Sequence, residues 1–272
     1  RRAAGDVKVI QAAFSFQSGF NPEGRLFKNA LGGGGILDVG CYPVSIARLI
    51  AGVALGKDFA DPLEVSGSGH LGETGVDEYA VACLKFPGGI LAQLSTGVRL
   101  NQENCVRIFC DKGWIHVPAP WGLGGKGGTT RIIIHRQGDS APEEIEVHSD
   151  AGSYALEADV AAANLGNGQA PSPAMGWNDT LGNMKTLDRW RAAIGLVYDS
   201  EKAENQTMPV GRRPLEVRGG DGMRYGKLEG LDKPVSRLVM GAQGPLHHAC
   251  VMFDDYFCLL YTSPSPRDRT RS

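Results

Sequence analysis

The chain has 272 residues, with 28 Lys and Arg against 30 Asp and Glu and a formal charge of −2. Such a length buries a sizeable core as one large or two ordinary domains, and the near-neutral balance gives no electrostatic case for nucleic acid or an anionic membrane. A small neutral or weakly charged ligand is the better match. Six cysteines, at 41, 83, 105, 110, 250 and 258, are too widely spaced for a zinc signature and too sparse for a disulfide scaffold. They read as reduced thiols in a cytoplasmic protein. No secretory leader is recognisable, and no apolar run is long enough to cross a bilayer.

The sequence opens Arg-Arg-Ala-Ala-Gly-Asp without an initiator Met, which reads as processing or as the loss of an N-terminal part. Residues 7–16 alternate loosely and predict a strand. Asn21-Pro22-Glu23-Gly24 marks a turn before four glycines, 32–35, which let the backbone turn sharply and approach another group closely. A helix follows, with Ile36, Val39, Pro43 or Val44, Ala47 and Ile50 as its apolar stripe and Gly52 closing it. Asp38 and Tyr42, four residues apart, are expected one above the other on a single helix face. Pro43 is tolerated if the helix begins near Val39, where first-turn N–H groups have no internal partners.

Strands are predicted at 62–70, 76–86, 89–97, 104–110, 113–118, 130–136 and 143–149, joined mostly by links short enough for hairpins. They predict an antiparallel meander. The glycine-rich stretch 122–128 lacks a Gly-Lys-Ser/Thr ending and a following helix, so it reads as an exposed loop. Helices are expected from Ser153 to about Leu165 and from Leu181 to Tyr198, the latter capped by Asn178 or Asp179. The fold class is therefore α+β: an open, mainly antiparallel sheet of six to eight strands with helices on one face. The other face needs cover, which a second copy of the chain supplies by forming a homo-oligomer. Beyond Pro209 a linker runs to about Tyr225, then a short strand at 235–241, a helix at 247–257, and a disordered or artefactual tail at 258–272.

The run Gly33-Gly34-Gly35-Ile36-Leu37-Asp38-Val39-Gly40-Cys41-Tyr42-Pro43 resembles the opening of the substrate domain in the Gfo/Idh/MocA oxidoreductase family. The likeness extends over residues 1–217 through Thr74-Gly75-Val76-Asp77-Glu78, Pro173-Ala174-Met175 and Leu181-Gly182-Asn183-Met184-Lys185-Thr186-Leu187-Asp188. It implies an open-sheet domain for substrate binding and oligomerisation, normally preceded by a Rossmann domain that binds NAD or NADP and carries a Glu-Lys-Pro segment with a catalytic Lys. Neither the fingerprint nor that segment occurs here, so the chain resembles the second domain without the first, binding no cofactor by itself. Tyr42 stands where the family usually has His, as in the branch containing glucose–fructose oxidoreductase and the dihydrodiol and xylose dehydrogenases. That branch implies a sugar or diol substrate.

The same resemblance implies Tyr42 as acid/base, since a phenol beside a cation can take up a hydroxyl proton, with Asp38 holding the substrate hydroxyl or the relay. Tyr42 as a substrate hydrogen-bonder or pocket wall stays open, as does Asp38 as a cap at Gly40 or Cys41. Arg25 resembles a family Arg near substrate or cofactor; an exposed Arg lying over apolar surface is the alternative. Asp188, Arg189 and Arg191 read as structural or interface pairs. His70, His116 and His135 share no spacing with carboxylates, and no metal is assigned. Residues 225–257 resemble the opening of an aldo/keto reductase, with 235–241 as first barrel strand and 252–257 as first helix. The implied function is the substrate-binding part of an NAD(P)-dependent oxidoreductase, inactive alone; the alternative is a non-catalytic carbohydrate-binding or oligomerisation module.

Overall fold

The computed structural model describes residues 3–122, 127–202 and 205, together with short strand segments at 225–226, 235–236, 238–242 and 249–253. Two units divide the chain, Arg1–Asn205 and Gln206–Ser272. The first holds an eight-stranded sheet built from β1 (Val7–Ser15), β2 (Glu64–Leu71), β3 (Asp77–Lys85), β4 (Leu91–Gly97), β5 (Val106–Cys110), β6 (Gly113–Val117), β7 (Gly128–Arg136) and β8 (Glu143–Ser149). Their spatial order is β2-β3-β4-β1-β5-β6-β7-β8.

The predicted strands are present within two residues at nearly every end, because alternation of apolar and polar residues is a local signal. In β3 the buried Asp77, Ala80, Ala82 and Leu84 alternate with the exposed Tyr79, Val81, Cys83 and Lys85. The connectivity departs from a simple meander. Strand β1 lies between β4 and β5, parallel to β4 and antiparallel to β5, and every other pairing in this sheet is antiparallel.

Among the described residues four α-helices accompany the sheet: α1 (Gly35–Asp38), α2 (Cys41–Ala54), α3 (Ser153–Ala163) and α4 (Trp177–Ala193). Helices α2 and α4 cover one face. Val44, Ala47 and Ala51 of α2 and Leu187 and Trp190 of α4 join Ile10, Ala12, Ala80, Ala82, Leu84, Ala92 and Leu94 of the sheet in one buried cluster. Small Ala side chains on three central strands let the helices approach closely, and the Trp190 indole N–H donates to the Val81 carbonyl at 3.2 Å. Arg48, fully buried on α2, pairs with Asp61 and Asp179 and so ties α2 to the start of α4. Among the described residues no single helix is long and apolar enough to cross a membrane.

The single helix expected over Asp38 and Tyr42 is in fact two. Helix α1 ends at Asp38 and α2 begins at Cys41, with the segments Asn29–Asp38 and Cys41–Ala54 bent by 44°. Pro43 explains the restart: with no N–H it fits only within the first turn of a new helix. Gly52 does not end α2 but lies within it, where it presses against the backbone of Phe59. Helix α4 begins at Trp177, and its N-cap is Gly176, without the side-chain cap expected from Asn178 or Asp179.

In the second unit, Leu238–Ala242 pairs antiparallel with Ala249–Phe253. The expected helix at 247–257 is therefore a strand over its described part, and the strands of a (β/α)₈ barrel run parallel. The aldo/keto reductase reading of 225–257 is overturned on this pairing. Of the predicted linker only 225 falls among the described residues; the tail at 258–272 lies outside them, as do 123–126 of the glycine-rich loop.

Gly34 packs directly on the Asp77 carboxylate with φ of +108°, so Gly34→Ala combines a left-handed backbone with an overlap inside the core. It is expected to cost about 2 kcal/mol or more. Gly56→Ala, at φ +72° with open space around it, is expected to cost only about 1 kcal/mol. Urea unfolding midpoints of the two variants check the difference.

Candidate functional site

The backbone of the glycine run is pinned by residues far away in sequence. The Ile36 N–H donates to Asp77 Oδ2 at 2.7 Å, the Thr96 hydroxyl to the Gly35 carbonyl at 3.1 Å, and the Tyr198 hydroxyl to the Gly33 carbonyl at 2.8 Å. The Gly34 N–H donates to the Leu26 carbonyl at 2.9 Å. Helix α1 has no side-chain cap of its own, since its N-cap is Gly34; Asp77 on β3 supplies one from across the fold. These amides are spoken for, and a buried carboxylate sits among them. The glycine run thus does not fit the pyrophosphate of a dinucleotide, which needs free N–H groups.

Asp38 closes α1 with its side chain 15% exposed and forms an ion pair with Arg25, which is 47% exposed. The two residues, thirteen apart in sequence, are brought together by the turn at 21–24, where Gly24 donates to the Asn21 carbonyl. Asp38 does not cap α2: Gly40 is its N-cap, with no side-chain bond there. The Arg25 guanidinium thus has an ionic partner in Asp38.

Tyr42 is the second residue of α2 and is 45% exposed. Its ring meets Phe14 edge-on at 5.2 Å and lies 6.0 Å from Trp121. Phe14 and Trp121 stack at 5.4 Å with planes 4° apart, and the Trp121 indole N–H donates to the Ala13 carbonyl at 2.7 Å. The result is a three-ring wall with one polar tip. Burial raises the Tyr42 phenol above its ordinary value, and Cys41, Tyr154, Glu157 and Asp38 push it the same way. At neutral pH it is a hydrogen-bond donor. The adjoining Cys41 thiol is pushed up to about 11, first by burial and then by Asp38, which makes it inert as a nucleophile.

Phe14 and Trp121 were not marked by sequence spacing. The available signal was Trp121 following Pro118, Ala119 and Pro120, an aromatic fixed in a stiff loop. Asp188, Arg189 and Arg191 make structural contacts: Arg191 bonds Asp188 and Glu201, and Arg189 bonds the carbonyls of Pro62 and Leu63. His70 stacks on Tyr79 and His135 on Trp114. Among the described residues one trio, Glu103, Cys105 and His116, brings metal-binding atom types within 4.8 Å of one another. Arg107 is already the cation there, donating to Glu103 at 2.6 Å. Burial raises the Cys105 thiol above its ordinary value.

Residues 1–116 match the family model described as the GFO/IDH/MocA C-terminal domain. The chain is similar to trans-1,2-dihydrobenzene-1,2-diol dehydrogenases: 26% identical over 202 residues to that of Mus musculus, covering 73% of this chain and 56% of the relative. To that of Xenopus tropicalis it is 29% identical over 203 residues, covering 73% and 57%. The chain spans about half the length of the curated relatives it matches. Among solved structures it resembles an aldose-aldose oxidoreductase from Caulobacter crescentus complexed with glycerol, with a TM-score of 0.59 at 21% identity over 71% of this chain and 54% of that one. It also resembles a 3-ketoreductase from Actinomadura kijaniata in complex with NADP, with a TM-score of 0.52 at 20% identity over 70% and 53%. The open sheet with helices on one face is the Gfo/Idh/MocA C-terminal-like fold, present as a single domain of that type. No aldo/keto reductase domain accompanies it in these matches, in keeping with the antiparallel pairing at 238–253.

Burial pushes the Asp77 carboxyl up to about 7 from its ordinary 3.8. The folded protein therefore holds a proton that the unfolded chain has already lost between these values, and stability falls as pH rises through about 7. Urea unfolding of the wild type against Asp77→Asn is expected to show this as a pH-dependent difference. It should develop between pH 4 and 8, with an upper bound of about 4 kcal/mol. A pH-independent difference would contradict it.

Proposed function

We propose that the chain is the substrate-binding part of an NAD(P)-dependent oxidoreductase of the Gfo/Idh/MocA type, acting on a sugar or diol hydroxyl or the corresponding carbonyl. The observation that carries this reading is the protonated, half-exposed Tyr42 phenol at the rim of the Phe14–Trp121 wall, beside the Asp38–Arg25 pair. The diol and sugar enzymes to which the chain is similar support the substrate class. A bound NAD(P) would provide the hydride donor or acceptor. The glycine run is closed to a pyrophosphate and does not supply the residues that hold it.

Each residue then has a defined task. The aromatic wall takes the C–H face of the substrate and excludes water from it. Asp38 accepts a hydrogen bond from a substrate hydroxyl, and Arg25 keeps that carboxylate aimed. Tyr42 donates its proton to the oxygen of a carbonyl as that carbon is reduced, and takes it back when the alcohol is oxidised. As found, with the phenol raised by burial, Tyr42 is ready for reduction. Oxidation requires a second cation beside it.

The proposal extends to a homo-oligomer formed through the uncovered sheet face, where Tyr79, Val81 and Leu91 are 42%, 50% and 48% exposed. It also extends to a cytoplasmic location, supported by free thiols at Cys41, Cys83, Cys105 and Cys110. Val81→Lys is expected to shift sedimentation toward the monomer with unfolding unchanged.

Alone, the 272 residues are expected to bind aldoses and vicinal diols, reported by Trp121 fluorescence, and to show no NAD(P)H turnover. Trp121→Ala should abolish the signal, and Tyr42→Phe should weaken binding by about tenfold, or 1.4 kcal/mol. With the cofactor-binding part restored, Tyr42→Phe is expected to lower kcat by at least about 100-fold with cofactor affinity unchanged. Unaltered kcat across the pH range would reject Tyr42 as the acid/base. Binding without turnover in the restored protein would favour the non-catalytic carbohydrate-binding reading.

A further inference from the structure

Asp77 is a fully buried carboxyl group outside the site just described, and the reaction proposed above does not use it. One of its oxygens accepts the Ile36 N–H. The other is buried without a hydrogen-bond partner and faces the Cα of Gly34. Helix α1 is only four residues long, too short to hold its shape by its own hydrogen bonds, and its last residue is Asp38. The start of this helix is thus anchored by Asp77, and its end carries the carboxylate that pairs with Arg25.

We propose that Asp77 is a positioning residue for Asp38, acting through the Ile36 amide and α1, so that gain or loss of the Asp77 proton shifts the Asp38–Arg25 pair. Its meaning for substrate binding rests on the function proposed above; the coupling itself does not. With the proton on, the enclosure holds a neutral group and α1 stays seated against the sheet. With the proton off, a charge faces Gly34 with one oxygen unpaired, and the nearest relief is for the glycine run to lift and admit water.

The backbone amides of Ile36, Asp77 and Gly35 favour the ionised form, but burial outweighs them. From α4, Arg191 favours the ionised form, but its guanidinium is taken up by Asp188 and Glu201. Beyond α4, the Tyr198 phenol donates to the Gly33 carbonyl and is itself raised by burial and by Asp77. From β4 the facing group is the Thr96 hydroxyl, which serves Gly35. On β3 the neighbouring Glu78 turns to Arg99, 3.9 Å away. On α1 the only titratable group is Asp38, paired with Arg25.

The test is carboxyl ¹³C and amide ¹⁵N NMR of the full chain between pH 5 and 9. The Asp77 carboxyl carbon is expected to titrate with a midpoint near 7, with the Ile36 and Asp38 amides and the Asp38 carboxyl carbon moving at the same midpoint. In Asp77→Asn that shared transition should be lost. An Asp77 midpoint in the ordinary carboxylate range, or Asp38 signals that stay flat while Asp77 titrates, would overturn the proposal. So would a transition that persists in Asp77→Asn. Should that variant not fold, the shared midpoint in the wild type decides. Diol affinity measured over the same range separates the two readings: coupled NMR transitions without diol binding sink the substrate assignment and leave the positioning role standing.

Discussion

The hydrogen bond from the Ile36 amide to the buried Asp77 carboxylate is the constraint on which the site's geometry depends. Four glycines cannot hold a shape by themselves, because they lose more conformational freedom on folding than any other residues. Here that looseness is removed from outside. Asp77, Thr96 and Tyr198, from two strands and the segment after α4, each take one backbone group of the run. Buried backbone groups must find partners, and the run finds them in side chains that arrive from up to 165 residues away. The absence of Cβ atoms is what lets those side chains in. Asp77 reaches Ile36 only because Gly34 has nothing to put in its way.

This arrangement explains why the local features of the fold were legible and its long-range ones were not. The alternation in β3 is written in Tyr79, Val81, Cys83 and Lys85, and a window of nine residues is enough to see it. The place of β1 between β4 and β5 is not written in any such window, since a parallel pair is joined through everything that lies between. The break between α1 and α2 did leave marks, in Gly40 and Pro43. Both fit a continuous helix beginning near Val39 as well as a second helix beginning at Cys41, and the local signal cannot choose. The structure places the break between Asp38 and Cys41, where a Cβ on Gly40 would fall 2.7 Å from the Ile36 carbonyl oxygen, a closeness no local window shows.

The candidate site divides in the same way. Asp38 and Tyr42 stand out in sequence as polar residues beside a glycine run in an apolar stretch. The pairing of Arg25 with Asp38 requires the intervening turn, and the wall of Phe14 and Trp121 joins residues 107 positions apart. Asp77 is visible as part of Thr74-Gly75-Val76-Asp77-Glu78, yet nothing in that motif says which backbone group its carboxylate serves.

Tyr42 shows how competing electrostatic effects settle. As the second residue of a fourteen-residue helix it lies at the positive end of the macrodipole, which favours a phenolate by about 0.3–1 kcal/mol, less than one pH unit. Burial, together with Asp38, Glu157 and the neighbouring thiol and phenol, acts in the opposite direction and prevails. Arg25 does not redress the balance, because Asp38 engages its guanidinium. The structure therefore keeps its cation on the carboxylate and its proton on the phenol, a division that gives the site one anchored acceptor and one ready donor. A second cation placed against Tyr42 would reverse the state of the phenol without disturbing the acceptor, so the direction of proton transfer can be set from outside this domain while its own geometry stays fixed.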